Sequence, residues 1–495
     1  MKKITLLFVY YLLFSKLIFS QILGNSGISN SLNLAQGNTY NASSRGVYAS
    51  GINPANLVYN LNNTFELSSI VFPFNISVST GNNVLSIDKA IKYFTPIDSN
   101  GTLKPKIISQ RDISDFKNYF SNDLNIYNSI NFNWFSIYYK YTNIFPSFAF
   151  SIDENISNNL TIPKDLPTAL VDLSFSNENI YLNLSNLNVQ SWWIRSYTLS
   201  LGYSLNNLFK SEIKSLGIDE INFGVGIKYI SGFAYSGFSN NRIFINNIFD
   251  TSNSKYEYNF YAKNISYVAL SDNFGPVYDY NKIEIRSHIP KQFYPKEAGR
   301  GFGYDFAITS RLNYHLFSFA ITDIGNIKWF KNTAKYTLEG SFKFSGLGNG
   351  NFNEIKDSLQ RTLDTLDKFL PNGSFRTKLP TAIRLGYAVQ VDKIIDDFPG
   401  IMNFAMDLNF GLNNMPNNSK TPRFSAGINW NISENLPYIR TGVSFGGKYG
   451  FIWSLGTGLE LNWYSLDIST VNIHEFLKKN QASKLLFAIS SRIRF

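Results

Sequence analysis

The sequence predicts an all-β protein, a transmembrane antiparallel β-barrel of about 14 strands with an N-terminal plug and small helices in its long loops. Three observations lead there. Aromatic residues make up 16% of the chain and charged residues only 16%, against about 25% charged in an ordinary soluble domain. Yet mean hydropathy is −0.13, so the apolar residues must be interleaved with Asn, Ser and Gly rather than clustered. Segment after segment then alternates at membrane-spanning length, and the connections between segments alternate between long and short. Beyond the N-terminus no apolar run reaches the roughly 18 residues of a membrane helix.

Residues 1–20 read as a signal peptide. Lys2 and Lys3 precede an apolar stretch from Ile4 to Phe14, Lys16 interrupts it, and Ser20 offers a small residue before the cut. Residues 21–63 are Gly-rich and not strand-like, and they end in Ser44-Arg45-Gly46 and Asn53-Pro54-Ala55-Asn56-Leu57. Ahead of a wide barrel such a segment is either a tail or a plug, because a lumen of about 14 strands stays open unless something fills it. As a plug, Asn53 would bond lumenal groups such as Arg384 or Asp407, held by the fixed φ of Pro54.

Residues 64–495 carry the strands. From Met402, the residues Met402, Phe404, Met406, Leu408 and Phe410 alternate with Asn403, Ala405, Asp407, Asn409 and Gly411, which gives one greasy face and one small or polar face. The stretches from Ile221, Ile383, Phe424 and Phe451 repeat the pattern. Strand starts fall near Phe65, Tyr127, Phe148, Trp193, Ile221, Gly303, Leu316, Ala382, Met402, Arg423, Tyr438, Phe451, Tyr464 and Leu485. Odd-numbered links are mostly long and even-numbered ones mostly short, such as Thr142-Asn143 and Asn462-Trp463. Short periplasmic turns and long external loops place both termini in the periplasm of a bacterial outer membrane. Within the long loops, Ile355, Leu359, Leu363, Leu366 and Leu370 have helical spacing, as do Ile113, Phe116 and Phe120.

The alternation turns Lys228, Asp305, Arg311, Arg384, Asp407, Arg423, Glu460, Asp467, Arg492 and Arg494 into the lumen. Facing lipid at mid-membrane, an Arg or Lys would cost about 2–4 kcal/mol. The final strand sets Leu485, Phe487, Ile489, Ile493 and Phe495 on its outer row. A last strand of this kind ending in Phe resembles the assembly signal of bacterial outer-membrane proteins, which implies the barrel-assembly machinery and outer-membrane lipid as partners.

Asn53-Pro54-Ala55 before such a barrel resembles the long-chain fatty-acid transport porins, in which the N-terminal segment forms a hatch inside the lumen. The chain is more closely similar to an uncharacterised family of Bacteroidota outer-membrane proteins related to them. That resemblance rests on Gly51-Ile52-Asn53-Pro54-Ala55, Ile162-Pro163-Lys164-Asp165-Leu166, Asp323-Ile324-Gly325-Asn326-Ile327-Lys328-Trp329, Leu379-Pro380-Thr381 and the stretch from Val443 to Phe451. It implies either passage of a small hydrophobic solute past the hatch, or a non-transporting scaffold that binds protein partners at its external loops, as in an accessory barrel of type IX secretion.

Catalysis finds little support. Gly442-Val443-Ser444-Phe445-Gly446 matches a nucleophile-elbow pattern, but it is followed by a hairpin rather than the helix that pattern requires. Only His288, His315 and His474 could serve as a base, and they are spread over distant connections. Asp392, Asp396 and Asp397 share a turn without the ligand spacing of an EF-hand. With no Cys, the chain can form neither disulfides nor thiolate-ligated metal sites. A formal charge of +10 spread over 495 residues forms no stripe for nucleic acid. The sequence therefore calls for no cofactor, no metal and no catalytic residue.

Overall fold

Strict period-two patterning dictates strands, and the number of strands that must pair edge to edge dictates closure. The computed structural model describes residues 30–495 apart from 60–63, 72–74, 85, 87–96, 100–101, 105–114, 116–117, 119–121, 143, 166–180, 251–254, 272–276, 280–281, 285–294, 346–366, 372, 434–435, 449, 473–474 and 476–482. It is a closed, 14-strand antiparallel barrel. The first wall position is shared by β1 (Phe65–Ser69) and β2 (Asn75–Asn82). β3 (Leu124–Tyr139), β4 (Ser147–Ile162), β5 (Asn188–Ser204) and β6 (Glu220–Asp250) follow. β7 (Lys255–Leu270) lies outside the wall, which continues with β8 (Gly299–Leu312) and β9 (His315–Trp329). β10 (Ala334–Ser345) again lies outside it. The circuit is completed by β11 (Ala382–Gln390), β12 (Ile401–Gly411), β13 (Arg423–Asn431), β14 (Tyr438–Gly446), β15 (Ile452–Glu460), β16 (Tyr464–Val471) and β17 (Lys484–Arg494). β17 closes on β1 through Leu67 opposite Ile493, and on β2 through Asn75 opposite Ser490.

Burial along these strands is inverted relative to a water-soluble protein. In β8, Phe302, Tyr304, Phe306 and Ile308 are exposed, while Gly301, Gly303, Asp305, Ala307 and Thr309 between them are buried. The same inversion puts Phe424, Phe445, Trp453 and Phe487 on the outside and Ser425, Ser444, Ser454 and Ala488 inside. An apolar outer face on strand after strand far exceeds the isolated patches that soluble monomers expose, and needs a hydrocarbon solvent.

The C-terminal end of β17 and the short turns lie at one end of the barrel, the long connections at the other. Three features depart from the sequence reading. The link between β5 and β6 carries a helix, α2 (Asn206–Ser215), where the parity of the links predicts a short turn. The connection after Ser231 is not all loop, since β6 runs on to Asp250 and returns as β7, which pairs with β10 beyond the wall. Leu370, the last residue of an expected loop helix, is instead in a strand, Asp367–Pro371, paired with β10. The signal peptide, most of both loop-helix readings, His288 and His474 lie outside the described residues.

The wall is irregular at one place. Ser69 pairs with Phe135 and Ile76 with Phe132, so the first wall position carries much more chain than β3 across the same height. The exposed Val71 belongs to the excess. β3 has a bulge between Asn133 and Phe135 there, and β5 against β6 another between Trp193 and Ile194. Extra residues in one strand bend it and release local pairing, and such bulges concentrate beside functional sites.

Candidate functional site in the barrel lumen

A polar, largely small-residue inner face leaves room that must be filled, and residues 30–59 fill it. They comprise α1 (Ser31–Ala35) and two 3-10 turns, Gly46–Ala49 and Pro54–Tyr59. Asn30 caps α1 by accepting from the Asn33 amide at 2.9 Å. Nearly every residue of this stretch is buried, although many are Asn, Ser and Gln, so hydrogen bonds must replace the lost water.

Those bonds run around the circumference. The Ser31 amide donates to Ser490 Oγ at 2.8 Å, and its hydroxyl to Ser469 Oγ at 2.9 Å. The amides of Tyr40 and Asn41 both donate to one oxygen of Asp407, each at 2.9 Å, and Asn41 Nδ2 donates to the Arg384 carbonyl at 3.1 Å. The Arg384 guanidinium lies over the Tyr40 ring, 5.3 Å from its centroid. Arg423 donates to the Asn38 carbonyl at 3.4 Å. On the opposite side, Tyr138 donates to the Leu57 carbonyl and Lys140 to that of Val58.

Wall glycines make the close approach possible. A Cβ at Gly427 would meet Gln36 O at 2.2 Å, one at Gly442 would meet Gln36 C at 2.2 Å, and one at Gly224 would meet Ala55 N at 2.1 Å. In the sequence Gly224 and Gly427 read only as small inward residues, and Gly442 only as the start of the Gly-x-Ser-x-Gly stretch. Here they are the seats on which the backbone of the N-terminal segment rests.

Asn53 does not bond Arg384 or Asp407, the partners that the sequence reading assigns to it. Its amide donates to Asn41 O at 2.6 Å and Asn41 Oδ1 at 3.3 Å, while its own Oδ1 accepts from the Ala55 amide at 3.2 Å. Asn56 joins it on Asn41 O at 2.8 Å. The Asn-Pro-Ala turn is thus an internal clip that folds the segment back on Asn41, and Asn41 makes the contact with the wall. Pro54 and Ala55 then pack on the Gly202 and Gly224 seats.

The remaining charged residues form two groups. Near the end with the short turns, Arg440 pairs with Asp467 and, at 3.0 Å, with Glu460. Arg494 reaches the other oxygen of Glu460 at 3.1 Å, and Arg492 reaches Glu66 at 3.3 Å. Glu66 also accepts from the Val47 amide at 3.0 Å, and Arg492 lies over the Tyr48 ring. Three guanidinium groups and three carboxylates therefore balance, and they grip the middle of the N-terminal segment. Arg440 and Glu66 are absent from the sequence-based set, yet the alternation of Ile439, Thr441, Val443 and Phe445 already turns Arg440 inward. Arg311 departs in the other direction, since it is exposed at the rim and pairs with Glu220 at 3.0 Å.

The second group lies further up the lumen. Lys228 sits between Asp305 at 3.0 Å and Asp323 at 2.6 Å, and donates to the Gly51 carbonyl at 3.4 Å. Asp323 has a φ of 57°, uncommon for a residue other than Gly, at the irregularity of β8 against β9. Above this group opens a cavity, part of it continuous with solvent. Gly51 forms its floor; Asp153, Asn155, Lys228, Asp323 and Thr198 give it polar walls, and Trp192, Ile194, Ile230 and Leu379 apolar ones. Phe132 and Glu154 face outward in the wall, paired with each other, yet they line the same cavity as the inward Asn131 and Asp153. The cavity therefore reaches into the wall at the bulge. On the outer side there, Glu154 accepts from Trp134 and Trp193 and pairs with the buried Arg195.

Three of the short motifs singled out in the sequence converge here, because Gly51, Asp323, Leu379 and Pro380 all line the cavity. Thr381 donates to the Asp323 carbonyl at 2.7 Å, which ties two of them together. At the same end of the barrel, in the connection after β14, burial alone pushes the Lys448 ammonium down to about 7. Ser444 of the Gly-x-Ser-x-Gly stretch is a buried wall residue in mid-strand, and His315 stands beside Tyr387 at 2.8 Å. Asp392 caps its own turn by accepting from the Met402 amide at 3.0 Å.

The family model DUF5723, described as a family of unknown function, matches residues 60–467. No curated protein matches the chain. Among solved structures, it is similar to the toluene transporter TbuX of Ralstonia pickettii, with 10% identity over 95% of this chain and 99% of that one and a TM-score of 0.44. It is similar to the toluene transporter TodX of Pseudomonas putida, with 9% identity over 96% and 100% and a TM-score of 0.40. A Pseudomonas aeruginosa FadL homologue gives 9% identity, coverage of 96% and 100%, and a TM-score of 0.44.

Proposed function

This chain belongs to the DUF5723 family, and we propose that it is an outer-membrane barrel that admits a small, largely apolar solute past an N-terminal hatch formed by residues 21–63. The observation that carries this reading is the cavity beside the irregular stretch of wall. It is lined from both faces of β3 and β4, and the buried N-terminal segment floors it at Gly51. A scaffold needs neither a cavity nor a broken strand in its wall. The exposed apolar outer face supports residence in a membrane, and strand parity supports termini in the periplasm. The outer row of Phe487, Ile489, Ile493 and Phe495 supports recognition by the barrel-assembly machinery.

In this reading the solute enters from the outer leaflet or the external mouth, rests against Trp192, Ile194 and Leu379, and leaves when the hatch shifts. The inward charges Lys228, Asp305, Arg384, Asp407, Arg423, Glu460 and Asp467 anchor hatch and wall rather than line an open pore. A second reading, an accessory barrel that binds a protein partner, draws support from the sheet of β6, β7 and β10 beyond the wall. Tyr181, Phe244 and Tyr261 stack along it, with Tyr181 and Tyr261 exposed.

Uptake separates the two. Cells that carry the protein in their outer membrane are expected to take up the fluorescent apolar probe N-phenylnaphthylamine faster than cells without it, with no rise in ion leakage. Equal rates at equal, correctly inserted protein would leave the scaffold reading standing.

A further inference from the structure

Resting on the transport reading, we propose that the cavity above Gly51 selects solutes with a cationic amine head on an apolar, aromatic-sized body, and that Asp153 and Asp323 are the groups that receive the amine.

Charge is the first reason. Among the described residues around the cavity one ammonium, Lys228, faces three carboxylates, Asp153, Asp305 and Asp323, while Glu154 is matched by Arg195. Buried carboxylates without matching cations are costly, and a cation brought in with the solute relieves that cost. Lys228 cannot relieve it alone, because it already bridges Asp305 and Asp323 and touches the Gly51 carbonyl.

The second reason is independent, and lies in hydrogen-bonding capacity. Asp323 is buried, and its Oδ2 has no hydrogen-bond partner, while Oδ1 is taken by Lys228. Asp153 accepts from Ser151 Oγ at 2.7 Å and Asn133 Nδ2 at 2.5 Å, which leaves lone pairs on both oxygens. Two of the wall donors are committed elsewhere, since Asn155 Nδ2 bonds Asn131 and Ser129, and Trp192 Nε1 bonds Asn155 at 2.6 Å. Among the described residues there, carboxylate acceptors outnumber cationic donors. A solute that brings N–H donors and positive charge fits that surface, and a carboxylate does not.

The rest of the solute is set by the apolar walls. Trp192, Ile194, Ile230, Leu379 and Pro380 take up the side away from the carboxylates. An indole face suits both an aromatic ring and a cation held beside it.

Three probes of one shape test this by calorimetry on the purified full-length barrel: benzylammonium, benzyl alcohol and benzoate. Benzylammonium is expected to bind at least about tenfold more tightly than benzyl alcohol, and benzoate not at all. Asp153→Asn should remove most of that preference and leave benzyl alcohol unchanged within about twofold. If Asp153→Asn does not insert, Asp323→Asn is expected to act in the same direction, since Asn tolerates a positive φ and Lys228 keeps Asp305. Equal binding of benzylammonium and benzyl alcohol, in a barrel that still speeds N-phenylnaphthylamine uptake, would overturn the amine proposal alone. No binding of any probe, in a barrel that leaves uptake no faster than in cells without it, would overturn both it and the transport reading.

Discussion

Removal of residues 21–63 should turn a closed barrel into a conducting one. The described part of that segment fills the lumen, and its backbone and side-chain groups bond wall residues on opposite sides, from Ser469 and Ser490 through Asp407 and Arg384 to Tyr138. Take it away and those groups face each other across water, in a wall wide enough to hold an aqueous channel. The deletion variant is expected to insert, because its wall hydrogen bonds are unchanged, and to give stable ion conductance in planar bilayers where the parent gives almost none. Substituting Asn53 and Pro54 should only loosen closure, because Asn53, with Asn56, clips the segment to itself through Asn41, and the hydrogen bonds to the wall are made by other residues. A deletion variant that inserts and stays as silent as the parent would mean that the segment does not close the lumen.

The second large effect is expected at Arg440. Its guanidinium is fully buried and serves Asp467, Glu460 and, through Nε, Asn429 at 2.9 Å. Arg440→Ala leaves Asp467 buried beside Glu460 with its cation gone, a change that typically costs about 3–5 kcal/mol. Arg440→Leu combined with Asp467→Leu should cost far less, because both charges go at once and Glu460 keeps Arg494. Urea unfolding of the reconstituted barrel measures both. If the single variant were as stable as the parent, the six-membered charge group would not be what holds this part of the lumen.

Much of this was legible in the sequence, for a simple reason. A barrel in lipid must alternate over a fixed length, and its closure demands that links sort by parity. Both constraints are one-dimensional, so Met402 to Gly411 or Gly303 to Ile308 reveal their phase without knowledge of neighbours. The same phase turned Lys228, Asp305, Arg384, Asp407 and Asp467 inward, and all are buried in the structure. What stayed hidden is set by partners across the lumen. Nothing local tells that Asn53 bonds Asn41 while Asn41 takes the wall, since both are Asn in one Gly- and Asn-containing stretch. Nor does an inward Gly announce whether it lines water or seats a backbone; only the 2.1 Å approach of Ala55 at Gly224 does so. Glu154 and Arg195 stand on the outer row, where alternation alone forbids charges, and bulges that bring Trp134 and Trp193 over them cannot be seen in period-two patterning.

The most direct measurement uses the absence of native Cys. Ser31 Oγ and Ser469 Oγ are 2.9 Å apart, one in the N-terminal segment and one on β16, a spacing within reach of a disulfide. With Ser31→Cys and Ser469→Cys together, mild oxidation of intact outer membranes should give near-complete cross-linking, seen as a reduction-sensitive shift of the heat-denatured band. The cross-linked barrel should also lose its N-phenylnaphthylamine uptake and regain it on reduction. Correct insertion with no cross-link, and with the thiol introduced in place of Ser31 open to a maleimide that cannot cross the membrane, would contradict a lumen closed by the chain's own N-terminal segment.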